Sequence, residues 1–392
     1  MNIRKILLLF VIALSGCEYL SAQMREGSYQ ALKTSKENTV ETVPVHVVPL
    51  GNGLFHFNEG DPRKPLEGTY RFTVNRVEYH IGNFKKGFAD GDWEHFRNNK
   101  LLEKKTAYKN GLLDGKHVRY EEDGTEDYVY TYKNGLKQHY ISWYSGGKKR
   151  EERFYDENEY LHGEMFTFDA DGNVKDEKRY RHGSREGVQV ETDQDGYKVS
   201  QEYADDKKYG VYSKLYPEGN QCEKGTYDEN AKKTGLWTSW YADGSPNTEE
   251  HFLNGILNGE KRTYYTGKKL KSEEDYMEGK LHGRKIEYDE DPHRVSREMT
   301  YSEGDLHGAF KIWHNGILWR EGAYQDGKMI YEKEYADGKL QIVKLLDEND
   351  ALIPVEKYDN TGKRTYKKTD YRRHPAVILK ESASGVIDVE IK

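Results

Sequence analysis

This sequence predicts an all-β fold, an elongated repeat protein of stacked antiparallel β-hairpins joined into one extended sheet. Three observations predict it. The first is internal periodicity: the segments ending in Gly115, Gly259 and Gly283 are visibly copies of one unit. Taking that glycine as anchor gives Gly68, Gly91, Gly115, Gly163, Gly187, Gly210, Gly235, Gly259, Gly283 and Gly308, with His139, Glu332 and Glu356 continuing the series in degenerate form. The twelve steps from 68 to 356 average 24 residues, so the unit recurs about thirteen times. The second observation is a pair of aromatic series in phase with the anchors. Phe96, Tyr120, Tyr144, Phe168, Trp240, Tyr264, Tyr288 and Trp313 come five residues after an anchor, and residues such as Tyr108, Tyr227, Phe252 and Tyr276 come seven or eight before one. The third is the turn chemistry between the two series. Asp123-Gly124, Asp171-Gly172, Asp243-Gly244 and Asn315-Gly316 supply the positive φ that tight hairpins demand.

Composition agrees. The 392 residues are 35% hydrophobic and 33% charged, a balance that would point to disorder were 13% not aromatic. Tyrosine, present 32 times, buries a ring while its hydroxyl bonds at the rim, and so can hold a thin structure together. A lone hairpin is marginal in water, which requires the units to pair with their neighbours.

Taken in order, residues 1–16 read as a lipoprotein signal peptide. Arg4 and Lys5 precede the apolar run Ile6 to Leu14, which is too short to span a bilayer, and Leu14-Ser15-Gly16-Cys17 resembles a bacterial lipobox that would acylate Cys17. The alternative is ordinary cleavage after Ser21-Ala22-Gln23, although Glu18 and Tyr19 sit awkwardly in its processing region. Loss of Arg4 and Lys5 moves the formal charge from -7 to -9. Residues 17–64 lack the register and read as a tether (17–40) and an N-terminal cap (41–64). Residues 65–375 hold the repeats, and 376–392 read as C-terminal cap strands covering an open edge. With Cys17 lipidated, Cys222 has no partner for a disulfide.

The unit, roughly Tyr-x-Asn-Gly-x-Leu-x-Gly followed by aromatics and Asp-Gly, resembles the MORN repeat in its bacterial form, and most nearly the group labelled YwqK-type antitoxins. The resemblance covers about 68–375. The His-Gly frequent at the MORN anchor appears as His162-Gly163, His282-Gly283 and His307-Gly308. It implies a hairpin sheet and a role in protein interaction or membrane association. The units near Gln138 and Glu332 depart from the pattern.

Chemistry of other kinds is not indicated. Asp169-Ala170-Asp171-Gly172 and Asp193-Gln194-Asp195-Gly196 lack the glycine and glutamate positions of a calcium loop and read as turns. His162, His282 and His307 recur two strands apart, roughly 10 Å, too far to share zinc. Glu249, Glu273, Glu298 and Glu321 form a periodic acidic ladder interleaved with Lys and Arg, a solvated face rather than a catalytic pair. No nucleophile elbow, P-loop or dinucleotide fingerprint occurs, so no enzyme and no cofactor or metal is expected. Basic residues alternate with acidic ones throughout, which disfavours nucleic acid.

One feature suggests binding. Trp93, Tyr212, Trp237 and Phe310 stand two residues after an anchor, and Trp143 stands four after His139. Alternation places them on the face opposite the aromatics five residues after the anchor. They are candidate contacts for a glycan or protein, unless sheet curvature or a flank covers that face. The functional expectation is a non-enzymatic, lipid-anchored scaffold, exported across the inner membrane, that binds a protein partner in the cell envelope. A cell-wall glycan-binding module and an antitoxin-like immunity protein are the alternatives.

Overall fold

The computed structural model describes residues 27–34, 40–49, 55–61, 63–73, 79–97, 100–374, 377–381 and 387–391. The signal segment and Cys17 lie outside them. The fold is all-β, and thirty-one of its strands form a single unclosed antiparallel sheet of regular hairpin pairs. Two compact units divide the chain: Met1–Glu191 with Ala204–Asp206, and Thr192–Tyr203 with Lys207–Lys392.

The anchor glycine has a defined structural role. In the hairpin pairing Pro246–Leu253 with Ile256–Tyr264, Phe252 is opposite Leu257 and Glu250 opposite Lys261. Three residues on one strand therefore face one on the other, a bulge centred on Gly259, whose φ of 117° suits glycine. On its other side the same glycine is the register partner of the next pre-anchor aromatic, as in Gly259 with Tyr276, Gly283 with Tyr301 and Gly91 with Tyr108. Where glycine is missing the bulge is reduced to one residue, and that residue is Gln138, Ile330 or Val355. The degenerate anchors assigned from spacing to His139, Glu332 and Glu356 shift accordingly.

Three recurring bonds string hairpin to hairpin. The turn glycine donates its N–H to a carbonyl of the preceding unit, as in Gly111 to Ala89, Gly183 to Leu161, Gly279 to Leu257 and Gly304 to Leu281. The residue just before the anchor accepts from the N–H next to that glycine. Asn110 N donates to Asp90 Oδ2 at 3.2 Å, Asn134 N to Asp114 Oδ2 at 3.0 Å and Glu303 N to His282 Nδ1 at 3.3 Å. Finally, Tyr144, Tyr216, Tyr241 and Tyr265 donate their hydroxyls to the carbonyls of Phe168, Trp240, Tyr264 and Tyr288 at 2.8–3.0 Å, 23 or 24 residues downstream. These bonds explain why tyrosine can do so much in a chain poor in aliphatic residues.

The flanks differ in part from expectation. Within the segment read as a tether, Gly27–Thr34 is a strand, paired with both Val40–Pro49 and Gly68–Thr73. The N-terminal cap supplies Val45, Val47 and Phe57, which pack with Leu66, Tyr70, Phe72, Phe84 and Trp93 into a buried cluster. Phe57 and Leu66 tie this layer down through Phe57 N to Gly87 O and Gly87 N to Leu66 O, both 3.0 Å. A second cluster (Ala323, Ile330, Val343, Leu345, Leu346, Val355) closes the last repeats, with Tyr371 packed on it. Val377–Glu381 and Ile387–Ile391 pair with each other as a separate two-stranded sheet.

Candidate functional site

The aromatics two residues after the anchor are core rather than contact surface. Trp237 is 2% exposed, Phe310 3% and Trp93 5%. Trp237 stacks on Tyr212 (5.4 Å between centroids, 25° between planes) and meets Tyr227 and Phe252 edge-on at 5.1 and 6.4 Å. Its indole N–H donates to the Thr226 carbonyl at 3.2 Å, and its ring lies over Gly225, where a Cβ would fall 2.1 Å away. Trp93 repeats the arrangement. It stacks on Phe72 at 6.1 Å and 10°, donates to the Asn83 carbonyl at 3.1 Å and covers Gly82. Phe310 packs on Tyr324 at 5.2 Å and covers Gly322. Each bulky ring is thus matched by a glycine that clears space for it.

The correction has a physical cause. The anchor bulge sets three residues of one strand against one of the other, so Tyr227 and Trp237, ten residues apart, point to one face. The pre-anchor rings therefore land on the same face as Trp93, Trp237 and Phe310 and enclose them. Trp143 moves the other way. A register shift separates Ser142 from Trp143, as it separates Ser239 from Trp240 and Thr263 from Tyr264. Counted from the Gln138 bulge, Trp143 belongs to the series five residues after the anchor, on the opposite face. It and Tyr212 are both half-buried, so the five candidate residues do not assemble one surface.

The opposite face carries the ordered polar array. Glu249, Glu273 and Glu321 accept hydroxyl hydrogen bonds from Tyr264 (2.9 Å), Tyr288 (2.7 Å) and Tyr335 (2.7 Å). Arg262 lies between successive carboxylates, 3.8 Å from Glu249, 2.8 Å from Glu260 and 3.6 Å from Glu273, and Arg284 reaches Glu298 at 2.9 Å. Burial first, and the neighbouring carboxylate second, push the Tyr264 and Tyr288 hydroxyls up to about 12. They therefore remain protonated donors at neutral pH. The acidic ladder is interleaved with Arg, as its spacing predicted, and its partnership with the second aromatic series was missed. The spacing of 15 residues from Glu249 to Tyr264, repeated from Glu273 to Tyr288, was the available signal.

Beside the turn at Asp347–Asn349 there is a shallow cleft of about 490 Å³, lined among others by Asp347, Glu348, Lys368, Asp370 and Arg372. Also unforeseen is a buried imidazole group in the N-terminal unit: His80 and His95 face each other, Nδ1 to Nδ1, at 3.2 Å, and His117 meets the Thr106 hydroxyl at 2.7 Å. Comparison with known proteins finds no matching family model and no matching curated relative.

Proposed function

We propose that this chain is a non-enzymatic repeat scaffold of the bacterial cell envelope, anchored by lipid at Cys17, that binds a protein partner along its polar face. The observation that carries the proposal is the recurrence of equivalent Glu, Arg and Tyr groups on successive hairpins. Such a surface spreads recognition over many weak, geometrically matched contacts instead of concentrating it in one pocket. Alternating sign favours a partner that also carries both charges, and disfavours a polyanion. The resemblance to MORN repeats points the same way. Trp93 and Trp237, candidate contacts for a glycan or a protein alike, are buried and offer a surface to neither.

The test is a pull-down from detergent-solubilised envelope with residues 18–392 as bait. A single stoichiometric protein identified by mass spectrometry is the expected result. Enrichment of polysaccharide with no protein would overturn the reading.

A further inference from the structure

Three potential metal ligands converge at one place on the turn edge of the N-terminal unit. One donor atom each from Asp156, His162 and His182 lies within 4.8 Å of the other two. Asp156 Oδ2 is 2.7 Å from His182 Nδ1, and the two imidazole rings lie 4.9 Å apart between centroids. Their elements bring them there for separate reasons. His162 is the residue before an anchor, and His182 begins the two-residue turn of the next hairpin, so the recurring inter-unit contact places them together, with His182 N 3.4 Å from His162 Nδ1. Asp156 enters because the loop from Tyr155 to Gly163 is one residue longer than its counterpart from Tyr276 to Gly283.

Asp156 is held ready. Its Oδ1 accepts from the N–H groups of Asn158 (2.9 Å) and Tyr160 (3.0 Å), and the side chain is 7% exposed. That leaves Oδ2 directed at His182, the kind of backbone support that orients a ligating carboxylate. Sister repeats act as internal controls. Asp228 heads a loop of the same length with the same two backbone bonds, at 2.8 and 2.9 Å, yet no histidine follows it. His282 makes the same inter-unit contact as His162, but to Glu303, and there the loop has no aspartate. Among the described residues the three ligand types coincide only at 156, 162 and 182.

We propose that Asp156, His162 and His182 form a binding site for a divalent transition-metal ion, zinc in particular. Two imidazoles and a carboxylate are ligands that zinc favours, at about 2.0–2.2 Å, with a fourth position left to water. A tetrahedral site separates its donors by about 3.3 Å, so Oδ2 and Nδ1 must part slightly while the farther imidazole closes in, motions that side chains on turns can make. The ion would then clamp two successive hairpin links together. The site does not draw on the repeat-spaced histidines His282 and His307. His182 lies off that series.

The test is calorimetric titration of the purified full chain with zinc chloride, set against two variants drawn from its own repeats. His182→Asn installs the residue found at Asn110, Asn134 and Asn254, and His162→Asn installs that found at Asn258, so both variants keep a turn or link this fold already uses. One equivalent of zinc is expected for the wild type, with affinity falling at least about tenfold in each variant and unchanged in His282→Ala. Cobalt(II) should give the visible absorption of a tetrahedral ion in the wild type and lose it in His182→Asn. Failure to bind at ~100 μM free zinc, a concentration that would fill even a weak site, or equal binding in both variants, would overturn the assignment.

Discussion

Replacing Trp237 with Ala is expected to cost about 3–5 kcal/mol and to unfold the hairpins around it. The ring is 2% exposed, stacked on Tyr212 and enclosed by Tyr227 and Phe252, with Lys233 Nζ 3.8 Å from its centroid. Removal leaves a cavity over Gly225 that a single-layer sheet has little aliphatic material to fill, and it strands the Thr226 carbonyl without its indole donor. The complementary change, Gly225→Ala, is expected to be comparably damaging, because the new methyl would meet the enclosed indole at 2.1 Å. Urea denaturation followed by circular dichroism measures both. Were Trp237 a ligand contact, Trp237→Ala would stay folded and lose only binding. A stability loss below about 0.5 kcal/mol would remove it from the core.

Acid is the second large lever. Burial, followed by the charges of His95 and Lys104, pushes His80 down to about 3, and burial with Lys104 pushes His117 down to about 4. Both are therefore neutral in the fold, whereas in the unfolded chain each takes up a proton near pH 6.5. The unfolded state binds more protons, so stability is fully present above about pH 6.5 and is lost as pH falls towards the folded values. Well below pH 6.5 each histidine contributes a slope of about 1.4 kcal/mol per pH unit, and together they amount to about 3 kcal/mol between pH 6.5 and 5. This window lies above that of ordinary carboxylates, which separates the two effects. Denaturation at pH 6.5 and pH 5 should show the loss, and His117→Gln should remove about half of it. A flat profile between those values would contradict the burial of these rings.

Much of the fold was legible because it depends on local chemistry repeated many times. The Asp-Gly and Asn-Gly turns, the 24-residue period and the aromatic phases each report a hairpin without reference to distant residues. What failed was the expectation that the face bearing Trp93, Trp237 and Phe310 is open for contact. The anchor bulge adds two residues to one strand, so Tyr227 and Trp237 share a face, and the pre-anchor rings cover the indole. The Gly82–Trp93 and Gly225–Trp237 pairs were visible as letters but not as partners, since eleven or twelve residues of hairpin separate them. The imidazole cluster around His80 and the Asp156–His182 contact likewise depend on which strands become neighbours. No period in the sequence announces them.

If the polar face is the binding surface and the aromatic face only the core, the two can be separated by substitution. Arg262 and Arg284 are exposed enough that their ion pairs are worth about 1 kcal/mol or less each, so replacing both with Ser should leave the sheet folded. The most direct measurement is quantitative capture of the envelope partner by wild-type chain and by the Arg262→Ser, Arg284→Ser variant, with circular dichroism recorded on both. The account predicts an unchanged spectrum and at least a tenfold loss of captured partner, the ~1.4 kcal/mol or more expected from removing two interfacial charges. Undiminished capture by a folded variant would contradict it.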